Sequence, residues 1–177
     1  RGESTDITLG KFILPWGRAD KINPTNPMPY DYTDLLDNER IGMVGGSWKY
    51  SWGVASSVEL VAFPWITPSI LPNAKSAWFV PPFLGVQNEK GVAYGARYAS
   101  TIASVDWSAS WFDGIDTAPS LRLGLPPRLV YNPYRAIGTD FETTFRGFGI
   151  RGEAAYRTHD SGYGDTSLRS ILGVDYR

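Results

Sequence analysis

The amino-acid sequence predicts an all-β protein, an antiparallel up-and-down transmembrane β-barrel with about eight strands in this chain. Three observations lead there. Apolar and polar residues alternate with period two along most of the chain, and few windows hold apolar residues at helical spacing. Short and long connections between the alternating runs follow each other strictly. The apolar phase is rich in Trp and Tyr, and the opposite phase carries more charge than a dry sandwich core holds.

In chain order the expected strands are 6–14, 41–52, 54–65, 89–101, 103–113, 136–146, 148–158 and 167–177. The alternation is plainest in four of them. Tyr94, Ala96 and Tyr98 oppose Gly95, Arg97 and Ala99, and Trp107, Ala109 and Trp111 oppose Asp106, Ser108 and Ser110. Ile137, Phe141 and Phe145 oppose Asp140, Glu142 and Thr144, and Ile150, Ala154 and Tyr156 oppose Arg151, Glu153 and Arg157. The joins at Gly53, near Ile102 and near Gly147 are tight, whereas 15–40, 66–88 and 114–135 are long and 159–166 is moderate. In a meander, alternate connections emerge at opposite ends, so tight turns gather at one end and long loops at the other. Runs of about 11 residues exceed the ~5–6 of soluble strands and match membrane-spanning ones.

Composition narrows the class. The chain has 177 residues, enough for one domain (1–177), with a net charge of -1 that argues against a nucleic-acid partner. Cysteine is absent, which removes disulfide scaffolds, thiolate metal sites and thiol catalysis. Aromatic residues make up 14%, including 7 Trp and 10 Tyr. No apolar run reaches the ~18–20 residues of a spanning helix. The chain opens on Arg1 without a signal-like apolar stretch, as expected of a processed chain or a piece of a longer one.

Two sets of residues follow from the phases. Trp48, Tyr50, Trp52, Tyr98, Trp107, Trp111, Tyr156 and Tyr176 are expected to face lipid as an aromatic girdle. Arg97, Asp106, Asp140, Glu142, Arg151, Glu153, Arg157 and Arg169 are expected to line the lumen. A tight turn near Gly147 sets Glu142 opposite Arg151 and Asp140 opposite Glu153, and charges there tune ion selectivity or pair with one another. Arg97, Arg151, Arg157 and Arg169 form a basic ladder if their strands are neighbours. The loop 15–40, with Trp16, Tyr30 and Tyr32, is long enough to fold into a pore or pack on a partner. Trp78, Phe79, Pro81, Pro82 and Phe83 of 66–88 offer aromatic surface for sugars or a protein, or pack on their neighbours. His159, Asp160 and Ser161 are adjacent, but consecutive strand residues face opposite ways, which is poor geometry for a triad. Asp113, Asp116, Asp160 and Asp165 lack an EF-hand spacing. No catalytic residue, metal or cofactor is expected.

Three stretches carry a family resemblance. Gly10-Lys11-Phe12-Ile13-Leu14-Pro15-Trp16-Gly17-Arg18-Ala19-Asp20 with Ile22-Asn23-Pro24, then Gly147–Tyr156, then Leu172-Gly173-Val174-Asp175-Tyr176, resemble uncharacterised Gram-negative outer-membrane porin-like proteins. The resemblance implies a β-barrel of the bacterial outer membrane and no catalytic residues. Barrels of this class usually end on an aromatic residue, and here Tyr176 is followed by Arg177. A segment of a larger barrel and a complete eight-strand barrel are both open, and only the former encloses water.

The expected role is a porin-like channel for small solutes or ions, in contact with the lipid bilayer and lipopolysaccharide. The alternatives are a scaffold barrel that sheathes or docks an outer-membrane protein partner, and a soluble sugar-binding β-sandwich.

Overall fold

The computed structural model describes residues 3–19, 22–33, 39–72, 85–87, 91–160 and 165–176. No helix occurs among them. The described residues form eleven strands: β1 (Ser4–Phe12), β2 (Met43–Trp52), β3 (Ser56–Phe63), β4 (Gly85–Gln87), β5 (Ala93–Ile102), β6 (Val105–Ile115), β7 (Ser120–Arg122), β8 (Arg128–Val130), β9 (Pro133–Phe145), β10 (Phe148–His159) and β11 (Ser167–Tyr176). Eight of them make one antiparallel sheet in the order β1-β2-β3-β5-β6-β9-β10-β11, so every neighbour is the next long strand in the chain. The short β4, β8 and β7 form a small separate sheet among the long connections.

The tight turns have a local cause. Ala103 and Ser104 (φ 49° and 69°) and Arg146 and Gly147 (φ 51° and 84°) are left-handed pairs. Two consecutive positive φ values mark the hairpin turn whose twist matches that of its strands. These turns and Gly53 lie at one end of the sheet, and the long connections at the other.

The hairpins are also staggered. One row across the sheet runs through Trp52, Ser56, Trp107 and Phe141, with Ser100 opposite Trp107. β2 ends on this row, β5 runs on to Ile102, and β9 runs on to Phe145. Each hairpin therefore extends two residues farther than the last, the shear that tilts strands in barrels. A closed barrel was expected, and here the result differs. Among the described residues β1 pairs only with β2 and β11 only with β10, so the sheet they form is open. A folded segment with Leu14, Trp16 and Met28 lies against its polar face.

The two faces are the reverse of a soluble sheet. Ile7, Leu9, Trp48, Leu60, Tyr94, Trp111, Ile137, Phe141, Phe145, Tyr156, Leu168, Leu172, Val174 and Tyr176 share one face and are exposed. The opposite face holds the charges and is covered in part: Asp140 and Glu153 are buried, whereas Lys49, Glu142 and Arg169 are exposed. On β9 the exposed apolar band lies between Arg135 and Arg146. That interval spans about 36 Å along the strand, or about 26–30 Å across a layer at barrel tilt, close to the ~25 Å apolar band of membrane barrels.

Ser104 carries a side chain in left-handed backbone, which costs an L-residue about 1–2 kcal/mol. Ser104→Gly should raise unfolding stability by about 1 kcal/mol. The midpoint of a denaturant titration checks this, with the slope unchanged.

Candidate functional site

The site begins with a register that sets like charges side by side. Asp140 on β9 lies directly opposite Glu153 on β10, and Asp106 on β6 lies opposite Glu142 on β9. All four carboxylates share the polar face. Opposed like charges destabilise a strand pair unless something neutralises them.

The neutralising groups come from far away in sequence. The chain leaving β1 turns back across the polar face as a strap, Leu14–Ala19 and Ile22–Pro29. Arg18 reaches Asp140 through Nε at 2.8 Å, Glu142 through Nη1 at 3.2 Å and Asp106 at 3.9 Å. Arg97 adds a second cation, with Nη2 3.1 Å from Asp140 Oδ2, and Ser108 donates its hydroxyl to the same carboxylate. Asp140 is thereby 1% exposed.

Glu153 is held by dipoles. Its Oε1 accepts from the backbone N–H of Thr25 at 2.7 Å and from the Thr25 hydroxyl at 2.8 Å. Its Oε2 accepts from the N–H groups of Arg18 and Ala19 and from Asn23 Nδ2. A carboxylate this buried (4% exposed) persists because both oxygens are saturated.

Local sequence explains the strap's path. Asn26 N–H bonds Asn23 O at 3.1 Å, closing a turn with Pro24 inside it. Asn26 Nδ2 then bonds the carbonyls of Leu14 and Trp16, tying the two legs together. Leu14, Trp16 and Met28 pack on Met43, Val61, Phe63, Ala93, Phe112 and Tyr134 at the long-loop end of the face. The Trp16 indole N–H meets Glu59 Oε2 at 2.9 Å, so its polar atom is also satisfied. Small strand residues leave the room: a methyl group on Gly138 would fall 2.5 Å from Thr25 Cγ2, and one on Gly95 2.7 Å from the Trp16 ring. At the far leg, Asp31 accepts from the Thr33 hydroxyl and N–H, which holds its carboxyl below the ordinary aspartate value.

The eight residues expected to line a lumen all lie on this face, with different fates. The expected register holds: Arg151 is opposite Glu142, and Glu153 opposite Asp140. Asp140 and Glu153 do not line open water, because the strap buries them. Arg97 is mostly covered as well. Asp106 and Glu142 stay half exposed. The basic ladder is not formed as expected. Arg97 is on β5, separated from β10 by β6 and β9, and its charge meets Asp140. Arg151 pairs with Asp175, and Arg157 pairs with Asp116 while lying 4.1 Å over the Tyr134 ring. Arg169 is exposed on the same face. Another row, missed in the sequence, alternates in sign across four strands: Asp6, Lys49, Glu59, Arg97.

The aromatic set lies on the exposed face. Trp48, Tyr50, Trp52, Tyr98 and Trp107 form a continuous belt with successive ring centroids 5.4–6.1 Å apart. Tyr176 packs against Phe148 farther toward the turns. Trp111 and Tyr156 sit in the row of Trp48, in mid-strand.

His159 does not address its sequence neighbour. Its Nε2 is 3.0 Å from Asp116 Oδ2 and its Nδ1 3.1 Å from the Asp165 carbonyl, whereas Asp160 is exposed. Asp113 is paired with Arg135. Among the described residues no group of three His, Asp or Glu is placed to hold a metal ion. Ser161, Trp78, Phe79, Pro81, Pro82 and Phe83 lie outside the described residues.

Comparison with protein-family models, with curated proteins and with solved structures gave no match.

Glu153→Gln replaces an acceptor oxygen by an amide that cannot accept from Arg18, Ala19 and Asn23. The strap should lose about 2–4 kcal/mol of local stability. Hydrogen exchange should quicken at the Arg18, Ala19 and Thr25 amides and stay unchanged in the β5–β6 ladder.

Proposed function

We propose that this sheet is the wall of a bacterial outer-membrane β-barrel that passes small solutes or ions, with the strap narrowing its lumen. The observation that carries this reading is the inverted distribution of side chains. One face of a tilted antiparallel meander is exposed, apolar and belted with Trp and Tyr, while the other buries a hydrated-type charge network. Exposed apolar patches of this extent mark surfaces meant for lipid or a partner. Girdled apolar bands, tight turns at one end and long loops at the other are the pattern of outer-membrane walls. The porin-like stretches point the same way. The lipid bilayer and lipopolysaccharide are the partners of the outer face on this reading.

The strap sets the chemistry of the passage. Arg18 and Arg97 are two cations among Asp106, Asp140, Glu142 and Glu153. The half-exposed Asp106 and Glu142 leave the solvent-facing side of this cluster negative, a field that favours cations over anions. A second reading, a scaffold wall that docks an outer-membrane protein, is favoured by the strap's coverage of the polar face.

Reconstitution into planar bilayers tests the proposal. Discrete conductance steps are expected. Asp106→Asn with Glu142→Gln should shift the reversal potential toward lower cation preference. The permeability ratio should change by up to about fivefold, since half-exposed charges are worth about 1 kcal/mol or less. Silent bilayers with a protein that co-purifies in fixed ratio would select the scaffold reading.

A further inference from the structure

We infer that the β7–β8 hairpin is a lipid clamp, in which Arg122 and Arg128 hold the phosphate of an anionic lipid while Leu123 and Leu125 enter the apolar layer beside it. The inference rests on the membrane reading above and adds a lipid contact apart from the wall.

The hairpin sets two cations side by side. β7 and β8 are antiparallel, and Arg122 lies directly opposite Arg128. Directly opposed residues share one face, with Cβ atoms about 4.5–5.5 Å apart, and like charges placed so destabilise the pair. Both residues are exposed. Among the described residues neither guanidinium is paired with a carboxylate. Arg18, Arg97, Arg135 and Arg157, by contrast, each meet an aspartate. Two adjacent planar forks suit an oxyanion with several acceptor oxygens. A phosphate monoester carries about -1.5 to -2 of charge, enough to neutralise both.

The apolar neighbours indicate what carries the phosphate. Leu121, Leu123 and Leu125 are 55%, 84% and 104% exposed. A free phosphate ion would leave all three in water. A lipid phosphate brings acyl chains with it, and leucine beside arginine is the composition of segments that lie at a membrane interface. A protein partner would need a pocket shaped for a protruding tip, and leucine is under-represented among the residues that dominate such interfaces.

The fold holds this tip out. At the base Leu129 and Val130 are buried, the Ser120 hydroxyl accepts from Asn132 Nδ2 at 2.9 Å, and β8 is paired with β4. At the tip Pro126 and Pro127 have fixed φ, which limits collapse of the turn. β7 and β8 belong to the small sheet, so the hairpin departs from the wall between β6 and β9 at the long-connection end. At about 3.3 Å per residue, the limb from Val130 to Leu125 is long enough to lie over the headgroup layer beside Arg135, which bounds the apolar band on β9.

A fluorophore at the tip tests this in the full chain, which has no Cys of its own. Leu125→Cys is labelled with an environment-sensitive dye and reconstituted into vesicles of phosphatidylcholine, alone or mixed with phosphatidic acid. Position 125 is fully exposed, so folding should survive. With phosphatidic acid the label should shift to the blue and be quenched by acyl-chain bromines. Adding Arg122→Gln and Arg128→Gln should lower the ratio of inserted to free tip about 10–30-fold, the worth of two guanidiniums at an anionic surface. Inorganic phosphate should not substitute for the lipid. A label that stays aqueous in both vesicles overturns the inference, as does equal insertion with and without phosphatidic acid, or a shift produced by inorganic phosphate alone. The tryptophan belt in the same vesicles separates the two readings. A quenched belt with an aqueous label overturns the clamp alone, whereas an unquenched belt overturns the membrane reading and the clamp with it.

Discussion

Two pairs of opposed carboxylates are the constraint from which the rest of this structure follows. The meander register places Asp106 against Glu142 and Asp140 against Glu153 on one face of three consecutive strands. Such a patch is unstable when dry and bare. It requires cations and N–H donors delivered from above the sheet, and the segment after β1 delivers them through Arg18, Ala19, Asn23 and Thr25. With that segment committed to the polar face, the apolar residues of the opposite face stay exposed among the described residues.

That allocation is the ground for proposing a lipid-facing wall. A soluble sandwich buries its Trp and Phe rows and wets its charges. Here, among the described residues, the large apolar side chains buried on the polar side lie near the long loops, where Leu14, Trp16 and Met28 meet Phe63, Phe112 and Tyr134. The belt from Trp48 to Trp107 faces outward. The ion pair of Asp113 with Arg135 and the turn residue Arg146 bound the apolar band at its two ends, as headgroup-level residues do.

The strands were legible because period two is a local signal. Trp107–Trp111 and Ile150–Tyr156 declare their faces without help from the rest of the chain. Boundaries moved where local signals compete: β9 starts at Pro133, since a proline is tolerated as a first strand residue, and β1 ends at Phe12, before the strap begins. The three-residue strands β4, β7 and β8 are too short to show a period. Which face Asp140 and Glu153 occupy was readable, whereas what they bind was not. Arg18 and Asp140 are 122 residues apart, and a run of Pro, Asn and Gly around Trp16 reads as loop until its partners are in place. The expected basic ladder loses Arg97 for a related reason: Arg151, Arg157 and Arg169 lie on the adjacent strands β10 and β11, but sharing a phase does not make β5 their neighbour.

The central claim is that hydrocarbon is the solvent of the outer face. Tryptophan emission in vesicles made with acyl-chain-brominated phospholipids measures this most directly. The account predicts strong quenching from Trp48, Trp52, Trp107 and Trp111, with Trp16, shielded beneath the strap, left bright in a variant that keeps it as the sole tryptophan. Emission untouched by bromine and open to aqueous iodide would contradict it.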